Sequence, residues 1–168
     1  QLLEQATDKK TRAYLVNREI DEIRGTLIRQ TMFAEFEKIT HAIAEAGEPL
    51  TLERIRGEYR TLLELYFGPD FALDESLSLE SLRIPHFYHS FYVYKYATGI
   101  SAAITLARRV EEGGKKVRER YLKFLKAGGS KFPLDLLRDA GVDLTKPEPV
   151  ATAMDRFKTL VDELEELV

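Results

Sequence analysis

The spacing of apolar residues between glycines and prolines constrains this chain more than any other feature. Over residues 8–45 they fall at Leu15, Ile20, Ile23, Leu27, Ile28, Met32, Phe33, Phe36, Ile39 and Ile43. Steps of mostly three, four and one are helical. Thr7 and Asp8 suit the start, Gly47 and Pro49 stop the run, and Gly25 inside it marks a kink or close packing. The spacing therefore predicts a long helical segment over 1–47. Thr51 caps a second helix over 51–67, carrying Leu52, Ile55, Tyr59, Leu62, Leu63 and Tyr66 and ended by Gly68-Pro69. Residues 70–85 read as a loop with one short helix around 79–82. A long helix is expected over 86–112, stopped by Gly113-Gly114. Residues 115–168 hold the C-terminal helices: 115–126, 133–140 after Pro133 and before Gly141, and a last one introduced by Pro147 and Pro149. On that last helix Val150, Met154, Phe157, Leu160, Val161 and Leu164 share a face. No long alternating segment bounded by hairpin turns occurs, so the fold class is all-α, a multi-helix array forming a single helical domain over 1–168.

Composition permits such a core. The chain has 168 residues, 44% apolar and 10% aromatic, and a chain of this size buries roughly 70% of its unfolded surface. A net charge of −3 gives no overall pull toward nucleic acid or an anionic membrane. The absence of Cys excludes disulfides, thiolate metal sites and a cysteine nucleophile, and permits the cytoplasm. No apolar stretch approaches the ~20 residues that span a bilayer, and no signal peptide is visible. Residues 1–6 read as the middle of a helix, because nothing before Leu2 can cap it. Two origins fit that terminus: a processed end of a complete domain, or a piece cut from a larger protein.

One segment is compositionally unusual. Residues 83–99 hold two of the three His and four of the eight Tyr. On a helix after Pro85, Tyr88, Tyr92, Tyr96 and Gly99 share one stripe, and Phe87, Phe91, Tyr94 and Thr98 form the next. Buried phenols need partners, so several on one helix fit a lined cleft where they donate to a ligand carbonyl. An aromatic core helix with its hydroxyls reaching the surface is the simpler reading of the residues alone. His86 and His89 lie three apart, but they lack the Glu of His-Glu-x-x-His, and the only other His is His41. Packing or hydrogen bonding is the simpler role for them. No dinucleotide fingerprint, phosphate loop or nucleophile elbow occurs. Glu35 and Glu37 carry no mark of an acid/base pair. The basic cluster of Arg108, Arg109, Lys115, Lys116, Arg118 and Arg120 is interrupted by Glu111, Glu112 and Glu119 and reads as a solvated helix surface.

Two blocks resemble one family. The first is Phe33-Ala34-Glu35-Phe36-Glu37, preceded by Arg24-Gly25-Thr26 and Arg29-Gln30-Thr31-Met32. The second is Ile84-Pro85-His86-Phe87-Tyr88 with Phe91-Tyr92-Val93-Tyr94-Lys95-Tyr96-Ala97-Thr98-Gly99. Tyr121-Leu122-Lys123-Phe124-Leu125-Lys126-Ala127-Gly128-Gly129-Ser130 and Gly141-Val142-Asp143-Leu144 add to them. Over essentially its whole length the chain resembles the C-terminal part of oligoendopeptidase F, a zinc metallopeptidase family related to thimet oligopeptidase.

The resemblance implies the C-terminal helical lobe of a zincin-type oligopeptidase that cleaves short peptides in the cytoplasm. In that family zinc is held by the two His of His-Glu-x-x-His and a Glu on a following helix, all upstream of the region resembling this chain. The sequence here contains no such motif. Zinc is thus expected in the parent enzyme and not on this chain, which alone is expected to be inactive. What the resemblance assigns here is substrate binding and oxyanion stabilisation: His86 and Tyr94 as the catalytic donors, and Tyr92, Tyr88, Tyr96 and His89 as substrate-binding residues. Phe91 stands where thimet-type relatives have the first Tyr of Tyr-Tyr-x-Tyr. Expected partners are short peptides and the N-terminal catalytic part of the same protein. Apolar surface facing that missing part is expected to make the isolated chain self-associate. The alternative is a freestanding, non-catalytic helical module that binds peptides or a partner, and the reading frame before Gln1 separates the two.

Overall fold

The computed structural model describes residues 2–168, with the backbone alone at positions 2 and 4. Gln1, on which the reading of the uncapped terminus rests, lies outside the described residues. All the regular structure is helical, and no strand occurs among the described residues. Two compact units are present, one of the chain up to Leu27 together with Tyr96–Val168, the other of Ile28–Lys95.

The first unit is built on α2 (Lys9–Ile23) and α8 (Glu148–Leu167), which pack along each other. A short α1 (Leu2–Gln5) precedes them. Asp8 caps α2, its carboxylate accepting the Thr11 amide at 2.8 Å, and this bond holds its carboxyl below the usual range. Val16, Ile23, Leu27, Ala153 and Leu160 form the core, with Ile100, Ile104 and Phe157 packed on it. Two ion pairs flank the seam: Arg12 with Glu163 at 2.5 Å, and Arg156 with both oxygens of Glu19 at 2.8 and 2.9 Å. The later part of the expected face of α8 turns inward, with Leu160 buried and Phe157 and Leu164 packed on the core, but its first turn does not. Val150 and Met154 are exposed, whereas Thr152 and Ala153 are buried.

A second cluster joins α5 (Tyr94–Glu112), α6 (Gly114–Ala127) and α7 (Pro133–Ala140) through Ala102, Leu106, Ala140 and Val142. Pro133 opens α7 and Gly141 closes it in the left-handed region, at φ 99°. The Gly141 amide donates to the Arg138 carbonyl at 2.9 Å and the Val142 amide to that of Leu137 at 2.8 Å, the paired bonds of a Schellman cap. Arg24–Ile28 is a single π-helical turn. It accounts for Gly25, where an added Cβ would meet nothing within 4 Å, so a change of helical pitch and not close packing explains that glycine.

The second unit is organised by α3 (Arg29–Glu45) and α4 (Leu52–Phe67). Thr51 caps α4 by accepting the Arg54 amide at 3.2 Å. Phe33, Phe36 and Tyr59 form an aromatic core, with Phe36 edge-on to Tyr59 at 5.2 Å. The expected loop at 70–85 is largely a 3-10 helix, Glu75–Arg83, capped by Asp74. Glu80 pins it to the core by accepting the Tyr59 hydroxyl at 2.7 Å and pairing with Arg29 and Arg83. Burial and then the Glu80 bond push the Tyr59 phenol well above its ordinary range. Replacing Tyr59 by Phe strands one oxygen of a largely buried carboxylate and is expected to cost about 1–3 kcal/mol in urea unfolding. The pH dependence has a definite sign. An unfolded Tyr ionises near pH 10 while folded Tyr59 does not, so this stability is complete below pH ~10 and lost as pH rises above it. The fall in urea midpoint above pH 10 should be smaller in the Phe variant.

The expected helix over 86–112 begins only at Tyr94. Pro85–Tyr88 forms a 3-10 turn, His89 is non-helical, and Phe91 adopts φ 57°, left-handed and unusual for a bulky side chain. The single stripe of Tyr88, Tyr92 and Tyr96 therefore does not exist, nor does its neighbour of Phe87, Phe91 and Tyr94. Tertiary anchors override the helical spacing at this point.

Candidate functional site

Residues 85–93 form a loop tied down at both ends, running into Tyr94 and Lys95 at the start of α5. Pro85 fixes the backbone that starts the 3-10 turn. Phe87 inserts between Phe33 and Phe36, with ring centroids 5.7 and 5.4 Å away. At the other end Val93 is buried. The residues between these anchors project outward, and local bonds tighten the bend: the His89 amide donates to the His86 carbonyl at 3.0 Å and the Tyr92 amide to the His89 carbonyl at 3.1 Å.

Tyr92 is the centre of the loop. It is half-buried, with the His86 ring 5.6 Å and the His89 ring 6.5 Å from its own. The Lys95 ammonium sits 3.8 Å from the Tyr92 ring centroid, a close cation–π contact. Among the expected site residues the structure thus gathers His86, His89 and Tyr92 and adds Lys95. Tyr88 is 84% exposed and Tyr94, the first residue of α5, is 56% exposed. Tyr96 belongs to the other unit and is half-buried there. The loop offers imidazole, ammonium and phenol donors within a few residues of one another. Such a set hydrogen-bonds carbonyl oxygens and stabilises an oxyanion.

The loop does not fit a zinc ion. His86 and His89 face the Tyr92 ring, His41 stacks on Phe91 at 4.5 Å, and among the described residues no group of three or more His, Asp or Glu is placed to hold a metal.

Sequence reasoning missed Glu37 and His41. Both lie on α3, four residues apart and so on one face. Glu37 is only 3% exposed, and its carboxylate accepts the backbone amide of Phe91. The available signal was a charged residue, Glu37, next to Phe36 and four positions after Phe33, both apolar residues of the expected core face. In the first unit, a separate cleft of about 1000 Å³ is lined by Arg12, Arg18, Glu19, Arg108, Glu111 and Arg156 among others, and it contains none of the expected site residues.

Over nearly its whole length the chain is similar to peptidases. Residues 1–156 match the model for Peptidase family M3, and the chain belongs to that family. It is 48% identical over 167 residues to Oligopeptidase PepF of Bacillus subtilis, covering 99% of this chain and 25% of that protein. An oligoendopeptidase F homolog of Borreliella burgdorferi is 46% identical, with 99% of this chain and 28% of the relative covered. The crystal structure of oligoendopeptidase-F from Enterococcus faecium superposes with a TM-score of 0.94 at 43% identity, covering 99% of this chain and 32% of that one. That of a putative peptidase from Chlamydophila abortus gives 0.92 at 38% identity. The chain therefore spans about a quarter to a third of the length of the proteins it matches.

Proposed function

We propose that this chain is the C-terminal portion of a zinc-dependent oligoendopeptidase hydrolysing short peptides, and that it supplies substrate-binding and oxyanion-stabilising residues while the zinc ligands lie elsewhere in the protein. The observation that carries this reading is similarity to oligoendopeptidases across 99% of the chain, joined to a loop that presents His86, Tyr92 and Tyr94. The missing His-Glu-x-x-His motif, and a loop that does not fit zinc, support placing the metal outside this chain.

In this reading His86 and Tyr94 donate hydrogen bonds to the oxyanion of the scissile carbonyl. Tyr88, Tyr92, Tyr96 and His89 hold the peptide. The whole of residues 1–168 works as a single helical domain against the N-terminal catalytic part, in the cytoplasm. Exposed apolar side chains support that partner. Phe67 and Phe71 stack at 4.6 Å and are both exposed, and Leu65, Tyr14 and Phe132 are 69%, 66% and 81% exposed.

The test compares residues 1–168 with the intact protein on an internally quenched peptide. The intact protein should cleave it and bind one zinc. The isolated chain should do neither, and should sediment above monomer mass at high micromolar concentration. Cleavage or tight stoichiometric zinc binding by the isolated chain would overturn the division of labour. A full-length protein that is inactive with zinc present would favour a non-catalytic binding module.

A further inference from the structure

Three observations in the second unit converge on one residue. Phe91 holds a left-handed backbone at φ 57°, a conformation that is unfavourable for a bulky L-residue and persists only where its surroundings impose it. The Phe91 amide donates to the carboxylate of Glu37, which is 3% exposed on α3. The Phe91 side chain is half-exposed and lies on the ring of His41, one turn further along the same helix, at 4.5 Å. The backbone and the side chain of one strained residue are thus gripped from one helical face. A carboxylate is costly to bury without partners, and a charge-assisted bond to an amide is stronger than a neutral one. Among the described residues, ion pairs of α3 and α4 run from Arg29, Arg54 and Arg60 to Glu80, Glu58 and Glu64, while the Glu37 carboxylate meets the Phe91 amide.

We propose that Glu37 is a positioning residue: by accepting the Phe91 amide it imposes the left-handed bend between the 3-10 turn and α5, and so sets His86, Tyr92 and Tyr94 at fixed places. This rests on the role proposed above for that loop. His41 assists by seating the Phe91 ring. The arrangement also explains why residues 86–93 do not continue α5 toward its N-terminus. A helical residue 91 would turn its amide away from Glu37 and leave the carboxylate buried without that partner.

The test uses the intact peptidase, with Glu37→Ala and Glu37→Gln. Gln retains a carbonyl oxygen that can accept the same amide; Ala has no acceptor. Hydrogen exchange over peptides spanning residues 89–94 reads the bond itself, and steady-state kinetics reads its consequence. In Glu37→Ala, exchange at Phe91 should quicken at least tenfold and kcat should fall about tenfold, with KM within about threefold. Glu37→Gln should recover most of both and keeps the inference testable should the Ala variant fold poorly. Unchanged exchange at Phe91, faster exchange with unchanged kcat, or no recovery in a folded Gln variant overturns the proposal. Tyr94→Phe measured alongside separates the two levels. If it lowers kcat while Glu37 variants do not, the loop keeps its role and Glu37 loses its own; if neither lowers kcat, the reading of the loop has failed and the inference with it.

Discussion

Tyr94→Phe in the intact peptidase is expected to lower kcat about 10²-fold while KM changes little. The size follows from removing one preorganised donor from a developing oxyanion, a loss of ~3 kcal/mol felt mainly in the transition state. The site makes the substitution informative. Tyr94 is the first residue of α5 and 56% exposed, so the ring stays where it is and only the hydroxyl goes. The core beneath depends on Val93, Phe33, Phe36 and Phe87, none of which the change touches. A loss of stability is therefore not expected, and equal unfolding midpoints for wild type and variant verify this. An unchanged kcat removes Tyr94 from the role. A raised KM with unchanged kcat reassigns it to holding the peptide in ground and transition states alike. The same measurement on Tyr92→Phe separates the two phenols, since Tyr92 is packed under Lys95 and between two imidazoles and is less free to reach a substrate.

Helix ends are legible in this sequence because each has a local cause. Asp8 and Thr51 accept amides that would otherwise be unpaired, Pro133 opens α7, and Gly141 takes a backbone angle that other residues resist. Local causes are also why the segment after Pro85 misleads. Its aromatic spacing of three and four matches a helix, and nothing within residues 85–93 announces that Phe87 will enter a core made by α3 or that Glu37 will take the Phe91 amide. Those partners lie about fifty residues away, where a spacing rule cannot see them. The residues of the candidate site were legible as a composition, two His and four Tyr in one short segment, but their arrangement was not. The π-turn at Arg24–Ile28 is a middle case: Gly25 signals a departure from regular helix without saying which.

The buried face of α8 yields the largest expected stability effect. Leu160 has no exposed surface and sits among Val16, Ile23, Leu27 and Ala153. Leu160→Ala removes three carbons from a core of Val, Ile and Leu side chains that flanking ion pairs hold together. The neighbours have little room to collapse inward, so a cavity remains and the cost should be about 3 kcal/mol, within the usual 2–5 for a buried Leu. For a chain of this size that is a fall of roughly 10 °C in Tm. Met154→Ala is the control. Met154 belongs to the apolar face that spacing alone assigns to α8, yet it is 40% exposed, and its loss should cost about 0.5 kcal/mol or less. If the two variants cost the same, the expected face of α8 packs along its whole length, Met154 included. If Leu160 costs several times more, the later turns of the expected face carry the seam while its first turn is exposed, and the Arg156 pair with Glu19 flanks that packing. Arg156→Met, which keeps the stem but not the fork, should then weaken the seam without the deep cavity left by Leu160→Ala.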